Sequence, residues 1–185
     1  MDTFPKIETD RLILGRLFVK DIPNIIAYAG NRKIAANTLN VPHPYGEKDA
    51  IFWMNSVNQG FEHKTQFSFG IRIKTKGEFI GGVGLKVNTR FQRAELGYWI
   101  AEPFWNQGYA SEAVKAILKF GFQEINLNKI YATHLIENPA SGNVMIKNGM
   151  IKEAELKEHV KKDGVFKSLI QYRMTKQEFE NRNSV

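Results

Sequence analysis

The chain has 185 residues, of which 43% are hydrophobic and 24% charged, and its formal net charge is +7. This length and composition suit one compact globular unit, so we expect residues 1–185 to form a single domain. Because the sequence contains no cysteine, disulfides, thiolate metal sites and a cysteine nucleophile are excluded.

Apolar runs are short throughout the sequence, and none approaches the length of a membrane span. We therefore expect a soluble, unexported, cytoplasmic protein. The positive charge would attract an anionic cofactor or a nucleic acid, although lysines scattered over a solvated surface give the same total.

The first part of the chain predicts a strand and two helices. Residues 11–17 indicate the strand, and the following helix begins near Pro23 and ends at Gly30. Turn-forming residues fill positions 37–46, and apolar residues then recur at helical spacing over 47–57.

Three strands are predicted next. Residues 67–74 alternate strictly between apolar and polar side chains, which predicts a half-buried strand. Residues 79–87 and 93–100 continue the meander. Four aromatic side chains of this region are expected in the core: Phe52, Trp53, Phe67 and Phe69.

The second half returns to alternating elements. A core-facing helix is predicted just after Gly108, and residues 129–135 indicate a strand. Asn138-Pro139 begins a short helix, which Gly149 closes.

The chain is predicted to end in a hairpin followed by a short polar tail. Residues 155–160 and 165–173 flank Lys162-Asp163-Gly164, a strong turn signal. The whole pattern predicts an α+β fold with a mixed sheet, antiparallel in its first half, and a strand-helix-strand crossover between residues 93 and 129.

The most informative stretch joins a strand to a helix through a Pro-containing turn, over residues 94–116. The first N–H groups of a helix have no internal partners and lie at the positive end of its dipole, so residues 106–111 suit phosphate oxygens. Gly108 would let the backbone approach an anion closely. An isolated Gly-x-Ala is more often purely structural, and Gly81-Gly82-Val83-Gly84 matches neither a Rossmann nor a Walker motif.

The stretch WNQGYA, from Trp105 to Ala110, resembles the acetyl-CoA-binding motif of GNAT acetyltransferases, Gln/Arg-x-x-Gly-x-Gly/Ala. Trp105 departs from the superfamily pattern but is typical of the RimJ/RimL-like branch, which acetylates the N-termini of ribosomal proteins. The resemblance extends from about Thr9 to Tyr172 and includes TDRLILGRL, VPHPY, AELGYWI and LNKIYATHLIENPASGNVMIKNGM.

The resemblance implies a GNAT fold: a central mixed and largely antiparallel twisted sheet, flanked by helices and splayed at the cofactor-binding strand. It implies acetyl transfer from acetyl-CoA to a primary amine without a metal. The implied acceptor is a protein N-terminal α-amine. A polyamine, an amino sugar or an antibiotic remains an alternative, and a homodimer is left open.

Two interpretations from other functional classes also stay open. One is a GNAT-fold acyl-CoA sensor that has lost catalysis. The other is a ribosome- or RNA-binding protein, but we expect no direct nucleic-acid readout because the sequence has neither an aromatic RNA-binding signature nor a dense basic stripe.

The resemblance also assigns cofactor contacts. Pantetheine would bond the backbone of one strand segment, the pyrophosphate would lie on the helix start, and a second motif would supply further groups. Helix capping explains Ser141 and Asn143 equally well. The expected residues are Tyr98, Trp99 and Ile100 for pantetheine, Trp105, Asn106, Gln107, Gly108, Tyr109, Ala110 and Ser111 around the pyrophosphate, and Asn138, Ser141 and Asn143 in the second motif.

Glu95 is the candidate general base, since it directly precedes the implied pantetheine segment. The alternative is a structural glutamate paired with Arg90 or Arg93. Many GNAT enzymes use a tyrosine as general acid where this chain has Met145, which cannot donate a proton. Ser141 would then bond the departing sulfur, or the thiolate would leave unassisted.

Histidines are unpromising as metal ligands, because none has a second ligand at a suitable spacing. We therefore expect no metal site. The histidine in the VPHPY loop would line the acceptor pocket, or its prolines would only shape a turn. The four histidines are His43, His63, His134 and His159.

Overall fold

The computed structural model describes residues 3–183. Its strands form a single eight-stranded sheet. In chain order the strands are β1 (Ile7–Glu8), β2 (Leu12–Gly15), β3 (Gln66–Ile73), β4 (Phe79–Asn88), β5 (Arg93–Ile100), β6 (Lys129–Leu135), β7 (Ile151–Lys162) and β8 (Val165–Thr175). The α-helices are α1 (Ile22–Ala29), α2 (Arg32–Asn37), α3 (Glu47–Glu62), α4 (Tyr109–Gln123), α5 (Pro139–Lys147) and α6 (Lys176–Asn183).

The sheet order is β1-β2-β3-β4-β5-β6-β8-β7. Neighbouring strands are antiparallel except β5 and β6, which are parallel because helix α4 crosses between them. The structure confirms the predicted α+β fold class, and the strands at 93–100 and 129–135 have the predicted bounds.

Helices cover both faces of the sheet. On one face, Ala94 and Leu96 of β5 pack in a core that includes Val114 and Ile117 of α4. On the other face, Trp99 packs against a second cluster formed with residues of α1 and α3. Strand β5 therefore has α4 on one side and the α1–α3 pair on the other.

Two expectations about burial are wrong. Strand β3 is not half-buried, because helices cover both of its faces and even Ser68 and Arg72 are buried. Phe52 is 75% exposed and so does not belong to the core, since it lies on the outward side of α3. Phe67 and Phe69 are buried as predicted, and Trp53 is half-buried.

Several elements are longer or more numerous than the sequence predicts. Helix α3 continues to Glu62, and the short β1 and α2 were not expected. Most of the predicted polar tail forms α6, where Phe179 stacks on Phe122 at 4.9 Å between ring centroids. This aromatic contact packs the polar helix against α4; positions 184–185 of the tail lie outside the described residues.

A buried ion pair joins the segment before α1 to the sheet. The Asp21 carboxylate accepts from the Phe18 backbone N–H at 2.7 Å and from the Arg72 guanidinium. The side chains of Asp21 and Arg72 are 6% and 9% exposed. A buried charge that loses its partner is strongly destabilising, whereas an exposed pair contributes little.

We expect Asp21→Asn to lower the free energy of unfolding by about 3 kcal/mol, because the guanidinium of Arg72 would keep its burial and lose its anion. Urea denaturation measures this change. Glu8→Gln is the matched control, since Glu8 pairs with Lys6 and Lys74 at an exposed position. An equal shift of the two midpoints would contradict a special contribution from the buried pair.

Candidate active site

The pairing of the two parallel strands is incomplete. Strands β5 and β6 pair only from Arg93 with Lys129 to Glu95 with Tyr131, although both strands continue. The outer edge of β5 stays paired with β4 through Ile100, and that of β6 stays paired with β8 through Leu135. The sheet is therefore splayed beyond Glu95, which leaves edge backbone groups of both strands facing a gap.

The candidate residues of β5 point alternately to the two faces of the sheet. Tyr98 and Ile100 lie on the face covered by α4, whereas Glu95 and Trp99 lie on the opposite face. A Cβ atom added at Gly97, between Glu95 and Trp99, would meet no atom within 4 Å. The face beside Glu95 is therefore open directly next to the gap.

Helix α4 begins beside the same end of β5. Gly108 is its N-cap with φ of 82°, and no side chain within residues 3–183 caps the helix. Asn106 also has a positive φ, of 59°. Backbone N–H groups of the first turn, which includes Tyr109, Ala110 and Ser111, consequently have no side-chain acceptor and suit an anion.

Trp105 and Gln107 fix the turn that leads into α4. The Trp105 indole Nε1 donates to the Ile100 carbonyl at 2.5 Å, and Gln107 Nε2 donates to the Pro103 carbonyl at 3.1 Å. Both side chains therefore fold back onto their own loop. Trp105, the departure from the superfamily motif, closes the end of β5 in this chain.

Sequence reasoning missed Arg11, which lies on the start of α4. Its guanidinium donates to the Gln107 carbonyl at 2.9 Å, pairs with Glu112 at 2.7 Å and lies over the Tyr109 ring. The same Glu112 carboxylate accepts from the Thr9 hydroxyl at 2.6 Å. The motif TDRLILGRL contains these residues, but nothing in the sequence predicts that Glu112 binds them about a hundred positions later.

The second predicted cofactor segment forms the start of α5. Asn138 is the N-cap: its Oδ1 accepts from the Ser141 N–H and its Nδ2 donates to the Asn37 carbonyl, both at 3.3 Å. Asn143 is exposed on the following turn. In this structure Asn138 therefore acts as a helix cap, which is the alternative to a cofactor contact.

One hydrogen bond links β5 to α5 near the gap. The Tyr98 hydroxyl lies 2.8 Å from both the Ser141 hydroxyl and the Ser141 carbonyl. The carbonyl can only accept from Tyr98, whereas either hydroxyl can be the donor in the contact between the Tyr98 and Ser141 hydroxyls. Burial raises the pKa of Tyr98, which keeps its hydroxyl neutral.

Glu95 lies in a shallow cleft on the other face. Among the described residues, no ion pair joins Glu95 to Arg90 or Arg93. Met145, at the position where many GNAT enzymes have a tyrosine, is buried in the core. Glu95 lies at the narrow end of the gap, where the pairing of β5 with β6 stops. The Tyr98–Ser141 pair lies on the opposite face of the sheet. The candidate base and the candidate donor to sulfur therefore lie on different sides of the sheet.

The sequence profile described as "Acetyltransferase (GNAT) domain" matches residues 11–151. The chain belongs to this GNAT acetyltransferase family. A relative named uncharacterized N-acetyltransferase YoaA, from Bacillus subtilis, is 29% identical over 87% of this chain and 91% of its own length. The ribosomal-protein-serine acetyltransferase of Escherichia coli is 29% identical over 52% of this chain and 54% of its own length.

Solved structures share the fold of this GNAT chain. An acetyltransferase of the GNAT family from Bacillus anthracis has a TM-score of 0.82 and 26% identity, covering 94% of this chain and 100% of that chain. A spermidine N-acetyltransferase from Vibrio cholerae, in complex with CoA and spermine, has a TM-score of 0.79 and 22% identity with the same coverage. The expected membership of the GNAT family is confirmed, a ribosomal-protein acetyltransferase is among the relatives, and the chain is an acetyl-CoA-dependent N-acetyltransferase of the GNAT type.

The remaining predictions for this GNAT chain concern metal binding, membrane spans and the histidines. Within residues 3–183, no group of His, Asp and Glu side chains is arranged to hold a metal ion, and no helix is long and apolar enough to span a membrane. His43 is exposed in its loop, whereas His134 is buried and stacks on Tyr172. Lining of an acceptor pocket by His43 stays a prediction.

The contact between Glu112 and residues 9–11 should depend on pH. Burial alone would raise the pKa of Glu112, but hydrogen bonds from Thr9 and Arg11 and the guanidinium charge outweigh it and lower the pKa. The stability that this contact provides is present above the pKa of an unfolded glutamate, about 4.3. It is lost as the pH falls through the lower pKa of the folded state.

We therefore expect Glu112→Gln to destabilise the enzyme at neutral pH and to reduce the loss of stability below about pH 4.3. Urea midpoints measured from pH 7 down to pH 3 test this expectation. Glu124→Gln, at an exposed position after α4, is the control and should keep the acid response of the parent chain. If the urea midpoints of the parent and of Glu112→Gln fell in parallel as the pH decreased, the expectation would be contradicted.

Proposed function

We propose that this chain transfers the acetyl group of acetyl-CoA to the N-terminal α-amine of a protein, with Glu95 as general base. The single observation that carries the proposal is the splay of β5 from β6, beside a helix start that no described side chain caps. One extended thioester can cross such a gap while its phosphates bind at the helix.

The pantetheine arm would add to the unpaired edge of β5, bonding the backbone of Tyr98, Trp99 and Ile100. The pyrophosphate would lie on residues 106–111, where Gly108 permits close approach. Arg11 holds this turn in place through the Gln107 carbonyl and the Tyr109 ring, and its charge is balanced by Glu112. Asn138 would have to leave the Asn37 carbonyl to reach the cofactor, whereas the exposed Asn143 needs no such exchange.

The attacking amine and the departing sulfur would lie on opposite faces of the sheet. The amine approaches over Gly97 and attacks the thioester carbonyl, Glu95 takes its proton directly or through one water, and the C–N bond forms as the C–S bond breaks. The sulfur departs as a thiolate toward Ser141. The Ser141 hydroxyl would donate to the thiolate while its oxygen accepts from Tyr98; otherwise the thiolate leaves unassisted and solvent protonates it.

A protein acceptor is favoured by the relative named ribosomal-protein-serine acetyltransferase. A polyamine is the second candidate, because a spermidine N-acetyltransferase shares the fold. That likeness is at 22% identity and supports the fold alone.

Gly108→Leu should weaken acetyl-CoA binding by about tenfold or more, equivalent to at least about 1.4 kcal/mol. Its side chain would stand where the anion approaches, and the added Cβ would lie 3.3 Å from Arg11 Nη2 at an unfavourable positive φ. Calorimetric titration with acetyl-CoA measures the loss. Gly164→Leu is the matched control, since Gly164 has φ of 81° with open space around it in the hairpin turn. Unchanged affinity in Gly108→Leu would remove the pyrophosphate from this site.

Glu95→Gln should leave acetyl-CoA affinity unchanged and lower kcat by about a hundredfold, because the amide cannot accept the amine proton. Thiol release from acetyl-CoA with an alanine-starting peptide measures the fall in kcat, and calorimetric titration with acetyl-CoA measures the affinity. Glu124→Gln controls for the lost charge, and parental turnover in Glu95→Gln at every pH would exclude Glu95 as base.

A further inference from the structure

The cleft that contains Glu95 is rich in positive charge. It occupies about 440 Å³, and Glu95 is its single carboxylate among the described residues. Three of its side chains are cationic. Its lining residues are Lys86, Val87, Asn88, Thr89, Arg90, Arg93, Glu95 and Tyr131.

The sheet register holds these charges around the candidate base. Lys86 is the neighbour of Glu95 on β4, and Tyr131 is its neighbour on β6. Arg93 lies two positions before Glu95 and points to the same face. Arg90 extends from the turn between β4 and β5. The cations and Glu95 therefore project from the same side of the sheet into the same cleft.

In the part of the chain that the structure describes, no carboxylate forms an ion pair with Lys86, Arg90 or Arg93. Some lysines and arginines elsewhere do pair with carboxylates, as Lys129 does with Glu153 at 2.6 Å. Both arginines of the cleft instead lie over the ring of Phe91, which is 55% exposed. Their charges remain available to an incoming molecule.

We infer that the acceptor is an acidic peptide segment, with carboxylate side chains within the few residues that follow its N-terminal amine. This inference rests on the proposed function, because it takes Glu95 as the group that the amine must reach. An extended peptide advances about 3.3 Å per residue, so side chains at positions two to four lie within about 10 Å of the amine. At that distance they pass over the cations of the cleft.

The same charges act against the alternative acceptor. A polyamine carries several positive charges and would meet Lys86, Arg90 and Arg93 without a compensating carboxylate other than Glu95. Like charges at a binding surface select against the wrong partner, and opposite charges speed encounter with the right one. The positive charge of the cleft thus favours acidic peptides over polycations as acceptors.

The test places three peptides in one reaction with acetyl-CoA. They share an N-terminal alanine and carry aspartate, serine or lysine at positions two to four. Mass spectrometry of the acetylated products gives ratios of kcat/KM that do not depend on how much of the enzyme is folded. At low ionic strength we expect the aspartate peptide to exceed the lysine peptide by about tenfold, with a smaller ratio in high salt because ions screen exposed charges.

Arg90→Glu should abolish this preference, whereas Lys119→Glu, an equal charge change at an exposed position on α4, should preserve it. Equal acetylation of all three peptides by the parent, or a preference that survives Arg90→Glu, overturns the inference and leaves the proposed function standing. Acetylation of spermidine in the same preparation without acetylation of any peptide overturns both.

Discussion

Pairing between β5 and β6 stops at Glu95 and Tyr131, while each strand stays hydrogen-bonded on its outer side. A sheet that opens in its middle leaves exposed backbone edges to be satisfied in another way, and a ligand with amide groups can do so. The rest of the site follows from this opening. Helix α4 follows β5 after a turn that Trp105 ties back to Ile100, and α5 begins shortly after β6 ends, so both helix starts lie at the wide end of the gap.

The gap also connects two different environments. The side that faces α4 and α5 is enclosed, and its polar contact is the Tyr98–Ser141 pair. The side that carries Glu95 is open, with space over Gly97 and cations around it. A thioester held between the two would present its carbonyl to the open side. Charge on the open side can therefore change with the acceptor while the cofactor contacts stay the same.

Local pattern was enough to predict most of the fold. Strands β5 and β6 and the caps of α5 depend on periodicity and on residues such as Asn138 and Gly149, so their prediction needs no tertiary contact. Strand β3 shows where this fails: its alternating pattern predicts one exposed face, yet a helix covers it, and Arg72 is buried because Asp21 binds it. The Arg11–Glu112 contact and the cations around Glu95 likewise depend on register between distant strands and helices, which one sequence does not reveal.

Aromatic packing at the end of β5 also places the intrinsic fluorophores of the protein beside the gap. The chain has three tryptophans, and all lie around the wide end of the gap. The rings of Trp53 and Trp99 lie 6.2 Å apart, and Trp105 donates to the Ile100 carbonyl. Intrinsic tryptophan emission therefore arises from the neighbourhood of the gap and not from the hairpin or from α6, so we expect a ligand bound in the gap to change it.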